Sequence, residues 1–165
     1  MSESHHSLGI PEGASCAYNL RFSGIYALTR TVMKVEGSCH CGQISFEAEI
    51  DPGAVSICHC TDCQTLTGSA YRVTVQAPAA SFTLRTGAPR IYIKTAESGN
   101  KRAHAFCSNC GAPIYATDPL EPRVYGIRVG TLKQRAELPP RRQIWYRSAL
   151  PWVTDISELP HNERQ

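Results

Sequence analysis

The sequence predicts a mainly β protein, with short antiparallel strands gathered into a single barrel or sandwich. Three observations carry this expectation. Apolar and polar residues alternate with period two in several short runs. Gly, Pro, Asp and Asn turn signals separate those runs. Helical periodicity is scarce, and only Thr61 to Thr67 reads as a turn or two of helix.

Met33-Lys34-Val35 opens the patterned part of the chain. Ile44, Phe46, Ala48 and Ile50 alternate with Gln43, Ser45, Glu47 and Glu49, the mark of a half-buried strand. Asp51-Pro52-Gly53 ends it as a turn. Tyr71, Val73 and Val75 alternate with Arg72, Thr74 and Gln76. Ser81 to Arg85 and Arg90 to Lys94 read as a hairpin joined through Thr86-Gly87-Ala88-Pro89. Ser98-Gly99-Asn100 is a further turn. Arg102 to Phe106, Ile114 to Thr117 and Val124 to Val129 read as more short strands.

The 165 residues suit one domain, expected over residues 33–159. Residues 1–32 lack a sustained period and read as a flexible N-terminal extension. An organelle-targeting peptide is the competing reading, weakened by Glu3 and Glu12. Residues 160–165 read as a polar tail. With 42% hydrophobic and 19% charged residues the composition is globular. No apolar run is long enough to span a membrane. No signal peptide is visible, so a reducing, cytoplasmic setting is expected.

Eight cysteines dominate the chemistry. Seven fall in three clusters: Cys39-His40-Cys41-Gly42, Cys58-His59-Cys60-Thr61-Asp62-Cys63 and Cys107-Ser108-Asn109-Cys110-Gly111. In an extended segment residues i and i+2 face one way, so a C-x-C pair can grip one ion. A C-x-x-C turn followed by Gly bends tightly around an ion. Closely paired thiols without a secretory context point to a soft-site metal, zinc above all, rather than to disulfides. Seven ligands divide as four plus three. Spacing assigns Cys39, Cys41, Cys107 and Cys110 to a closed structural site. Cys58, Cys60 and Cys63 then make an open site with a free coordination position. A Cys₃His set using His40, His59 or His104 is the main rival. His59 sits between two ligands, so it reads as pocket lining or, equally, as an ordinary histidine. Cys16 is left unpaired.

The formal charge of +3 counts every thiol as neutral. Seven thiolates on two zinc ions would cancel that excess, so general nucleic-acid affinity is not expected.

At these motifs the sequence resembles the glutathione-dependent formaldehyde-activating enzyme family, which includes centromere protein V. The resemblance rests on Gly37-Ser38-Cys39-His40-Cys41-Gly42, on Cys58-His59-Cys60-x-x-Cys63 followed by Gly68-Ser69, and on Phe106-Cys107-x-x-Cys110-Gly111. Gly130-Thr131-Leu132, Ile144-Trp145 and Pro151-Trp152 extend it, so it spans residues 37–152. It implies an Mss4-like β-fold and two zinc ions per chain. The structural ion would sit on Cys39, Cys41, Cys107 and Cys110, the second on Cys58, Cys60 and Cys63. It also implies a carbon–sulfur lyase that joins glutathione to formaldehyde. Lys133 stands where the family commonly has an acidic residue, and Gln143 where a histidine is expected.

Three functional readings follow. The first is an enzyme acting on a small thiol, such as glutathione, and an aldehyde, with Cys58, Cys60 and Cys63 as the catalytic set. His59 and Asp62 are the candidate proton carriers. Some of Arg123, Arg128, Lys133, Arg135, Arg141, Arg142 and Arg147 could clamp a carboxylate, although a solvated basic face is the simpler reading. The second class is a non-catalytic, zinc-stabilised binding module. Thiol redox chemistry at a C-x-x-C pair is the weakest reading, because no βαβ pattern surrounds either pair. The sequence does not address oligomeric state.

Overall fold

The computed structural model describes residues 31–164. Residues 1–30, including Cys16 and nearly all of the N-terminal extension, lie outside the described residues. Ten strands form two sheets with one short helix, in agreement with the mainly β expectation. The strands are β1 (Met33–Ser38), β2 (Ser45–Ile50), β3 (Ser56–Cys58), β4 (Arg72–Pro78), β5 (Thr83–Thr86), β6 (Arg90–Thr95), β7 (Lys101–Phe106), β8 (Pro113–Thr117), β9 (Val124–Arg128) and β10 (Arg142–Ile144). Helix α1 (Thr61–Thr67) follows β3.

The smaller sheet has the order β1-β2-β5, and the larger β10-β3-β4-β9-β8-β7-β6. All pairings are antiparallel except β10 with β3. The β2 alternation resolves as read: Ile44, Phe46, Ala48 and Ile50 are buried. They meet Val75, Ala77, Ile114, Ile127, Leu132 and Leu138 in one apolar core. Phe82 closes one end. Its ring stacks on Tyr125 at 4.4 Å and on Phe46 at 5.5 Å, and meets Tyr115 edge-on at 5.2 Å. Asp51 caps the turn after β2 by accepting from the Gly53 amide at 2.8 Å.

One expected pairing is absent. The segments read as a hairpin over Ser81 to Lys94 do not pair with each other. β5 joins β2 in the smaller sheet, and β6 joins β7 in the larger. Gly87, at φ +70°, carries the chain between sheets, and a Cβ there would stand 2.4 Å from the Gln43 carbonyl oxygen. The real hairpin is β6–β7, closed through the Ser98-Gly99-Asn100 turn, where the Ala96 amide donates to the Asn100 carbonyl at 2.8 Å.

The larger sheet has two unlike faces, and this positions the site. Antiparallel partners point the same way, so ladder register assigns side chains to faces. Cys58 pairs with Arg72, Ser56 with Thr74, Thr74 with Arg128, Gly126 with Ala116, and Ala116 with His104. These residues form one polar face. The opposite face presents Val73, Val75 and Ile127 to the core.

Candidate metal centres

Two cysteine clusters form as the spacing suggested. In the first, the sulfurs of Cys39, Cys41, Cys107 and Cys110 all lie within 4.8 Å of one another. Cys39 to Cys41 is 3.5 Å and Cys41 to Cys107 is 3.7 Å. Four thiolates about 2.3 Å from one zinc ion would stand about 3.8 Å apart, so the cluster has a suitable size.

Two similar turns build it. After Cys39, the Gly42 amide donates to the Cys39 carbonyl, and the Cys39 amide to Ile44. After Cys107, the Gly111 amide donates to the Cys107 carbonyl, and the Cys107 amide to Ala112. Gly42 and Gly111 have φ of +76° and +72°, which the sharp return of the chain requires. The Ile44 amide also donates to the Cys39 sulfur at 3.2 Å. The cluster ties β1 and β2 of the smaller sheet to the β7–β8 turn of the larger.

The second cluster is Cys58, Cys60 and Cys63. Cys58 ends β3, Cys60 is the residue before α1, and Cys63 lies in its first turn. The sulfurs are 3.6 Å apart for Cys58–Cys60, 2.9 Å for Cys60–Cys63 and 3.3 Å for Cys58–Cys63. The three thiols hydrogen-bond to one another. The Cys63 thiol donates to Cys58 and pulls the Cys58 pKa down to about 5, against the opposing effect of burial and with help from Arg72. The same bond, with burial, pushes Cys63 up. A tight group of three thiols fits a soft cation. No histidine joins either cluster, so the rival Cys₃His set does not form among the described residues. All seven described cysteines are free of disulfides.

Of the two clusters, the second alone lines a cavity of about 1100 Å³. The polar face of the larger sheet is its floor: Ser56, Arg72, Thr74, Gln76, Gly126, Arg128, Ala116 and His104 all line it. Two ion pairs hold the walls together. Lys94 of β6 pairs with Asp62 of α1. Arg147 pairs with Glu97 at 2.7 Å and lies over the Trp145 ring.

The two candidate proton carriers, His59 and Asp62, sit in different settings. His59 is buried and does not line the cavity. Its Nε2 meets Gln143 Oε1 at 2.7 Å, and its ring packs edge-on against Tyr71 and Tyr146. Gln143 therefore answers the histidine across β3 and β10. Asp62 lines the cavity, but Lys94 engages its carboxylate.

The basic stretch also separates into unlike members. Lys133 pairs with Glu36 at 2.5 Å, Arg123 with Glu121, and Arg147 with Glu97. Arg128 instead is 5% exposed and points into the cavity. Sequence reasoning named it only as one of seven. Arg72 and His104 as cavity residues were missed, because alternation reports which face is polar but not that the face is roofed.

A family model described as glutathione-dependent formaldehyde-activating enzyme matches residues 34–148. The chain belongs to this family. Within it, a Halomonas elongata protein named "Putative glutathione-dependent formaldehyde-activating enzyme" is 28% identical over 115 residues, covering 67% of this chain and 73% of that protein. A Rhodobacter sphaeroides protein of known crystal structure shares the fold, with a TM-score of 0.52 at 21% identity. That likeness covers 66% of this chain and 98% of the other. The family match takes in both cysteine clusters. No helix among the described residues is long and apolar enough to cross a membrane.

Proposed function

We propose that this protein is a zinc-dependent carbon–sulfur lyase that adds a thiol such as glutathione to a small aldehyde, or splits such an adduct. The observation that carries this reading is the unequal placement of the clusters. Cys58, Cys60 and Cys63 line the large cavity, whereas the four-cysteine cluster does not. A three-ligand set facing a cavity suits exchange, and a four-ligand set suits structure. Cys39, Cys41, Cys107 and Cys110 would hold the structural zinc, and Cys58, Cys60 and Cys63 the second.

When bound at the second cluster, zinc would supply a free coordination position and Lewis acidity. The protein's own side chains prepare that corner. Arg72 stands across the ladder from Cys58 and favours the thiolate there. The pairing of Lys94 with Asp62 fixes α1, and hence Cys60 and Cys63, against the cavity wall. Gln64 donates to the His59 and Ser148 carbonyls at 2.8 and 2.9 Å and so anchors the same helix. The reaction itself adds S–H across C=O. A C–S bond forms, the carbonyl π pair moves to oxygen, and the thiol proton ends on that oxygen. A reducing, cytoplasmic compartment would keep the cysteines available.

The test is the rate of exchange between formaldehyde, glutathione and their adduct, followed by NMR line exchange with isotopically labelled formaldehyde. The zinc-loaded protein should accelerate exchange above the spontaneous rate, and Cys60→Ser should remove the acceleration. A fully loaded protein that leaves the spontaneous rate unchanged would rule out this activity.

A further inference from the structure

Arg128 is an unusual feature of the cavity floor. It is 5% exposed, yet among the described residues its Nε and Nη1 have no hydrogen-bond partner. Its Nη2 donates to His104 Nδ1 at 3.2 Å, so the hydrogen-bond partner it has among the described residues is a neutral acceptor. Burial first, and Arg128 second, hold the His104 pKa down at about 4. Burial, reinforced by Arg72, lowers the Arg128 pKa to about 9, which still leaves it charged at neutral pH. Arg72 also has a buried, unpartnered Nε. A buried guanidinium without an anion is costly, because its lost hydration is not replaced.

The cavity's own carboxylates do not satisfy these arginines. Asp62 is held by Lys94, Glu97 by Arg147, and Glu121 by Arg123. Asp118 accepts from the Leu120 and Glu121 amides. Space for a ligand lies beside them. Gly126 and Ala116 are paired on the floor next to Arg128, and a Cβ on Gly126 would meet only the Ala116 carbonyl oxygen, at 3.5 Å. Cys58, Cys60 and Cys63 line the same cavity as Arg128, so the empty fork and the three thiols share one chamber.

We propose that Arg128, assisted by Arg72, is an anion subsite that receives a carboxylate carried by the substrate whose thiol or aldehyde end reaches Cys58, Cys60 and Cys63. The planar fork with free N–H groups matches a carboxylate. This deepens the proposed lyase reading and rests on it for the second half of the claim. The preferred substrate is then an acid-bearing thiol, an acid-bearing aldehyde, or their adduct, rather than a neutral pair.

The test is calorimetric binding to the zinc-loaded protein, which requires no turnover. Mercaptoacetate is compared with 2-mercaptoethanol, and glyoxylate with glycolaldehyde. Whichever acid shows the preference over its neutral analogue identifies the member of the pair that carries the carboxylate. The acid should bind at least about tenfold tighter, the scale of one charge-assisted hydrogen bond. Arg128→Gln should remove that preference while leaving 2-mercaptoethanol binding in place. Gly126→Val fills the ligand space while keeping both arginines in the sequence and should weaken the acid alone. It serves as the second variant if Arg128→Gln fails to fold. Equal affinity for acid and neutral probes in the parent protein overturns the subsite, as does a preference that survives both variants. If neither thiol binds but acetate does, in an Arg128-dependent way, the anion subsite stands and the lyase reading fails. If 2-mercaptoethanol binds and no acid is preferred, the subsite fails and the lyase reading stands.

Discussion

Replacing Gly37 with alanine tests how the first glycine of the Gly-Ser-Cys-His-Cys-Gly run supports the four-cysteine cluster. Gly37 lies opposite Phe46 in the β1–β2 ladder. A Cβ on Gly37 would stand 2.2 Å from Phe46 Cζ, and 2.6 and 2.8 Å from its two Cε atoms. Such contacts are far inside van der Waals separation, so the ring must move. It has little room, being 2% exposed and stacked on Phe82 at 5.5 Å. Overpacking of this kind costs about 1–3 kcal/mol, and the ring's confinement puts Gly37→Ala toward the upper end. For a domain of this size that is a fall in Tm of about 3–10 °C. The assay is thermal unfolding followed by circular dichroism at fixed metal content. Phe46→Leu supplies the internal control. It lowers stability by itself, but adding Gly37→Ala in that background should cost much less than in the parent. An unchanged Tm for Gly37→Ala, or equal costs in the two backgrounds, would refute the claim that the ring excludes a side chain there.

The other predictions concern the site directly. Cys110→Ser should lose one metal per chain and melt well below the parent, because that cluster joins the two sheets. Cys60→Ser should also lose one metal per chain but melt close to the parent; equal destabilisation by both would contradict the division of roles. Gln143→Leu removes the 2.7 Å partner of the buried His59 ring. Gln143 is itself exposed and water can enter, so denaturant unfolding should record a loss of only about 1 kcal/mol. His104 titrates near 6.5 in the unfolded chain and at about 4 in the folded one. Between those values the unfolded chain binds the extra proton, so stability should fall as pH falls from 6.5 toward 4. His104→Gln should flatten that part of a denaturation-against-pH curve; an unchanged slope would place the acid sensitivity elsewhere.

Local chemistry was legible in the sequence and long-range pairing was not. The β2 alternation, helix Thr61–Thr67 and the turns at Asp51-Pro52-Gly53 and Ser98-Gly99-Asn100 depend on neighbours in the chain, and they form as read. The grouping of seven cysteines into four and three was suggested by their spacing and made firm by the family resemblance, and the sulfurs gather in those two sets. The partners of β5 and β6 were not, since period two identifies a strand without naming the strand beside it. β10 was missed because Arg142-Gln143-Ile144 is too short and too polar to register as a strand. Its parallel pairing with β3 brings Gln143 to His59 across 84 positions of sequence. The cavity escaped notice for a related reason. Arg72, Thr74 and Gln76 read as an ordinary solvent face, and it is residues distant in sequence, from α1, β6, the segment after β8 and the Trp145 segment, that line a cavity together with them.

The most direct test of the central claim is zinc content per chain, measured by elemental analysis before and after dialysis against excess glutathione with a mild chelator. The account predicts two zinc ions per chain, with one of them, lost also in Cys60→Ser, exchanging in the presence of the thiol. Two ions that both resist the thiol, or a single ion held only by the four-cysteine cluster, would contradict an open, ligand-exchanging centre at Cys58, Cys60 and Cys63.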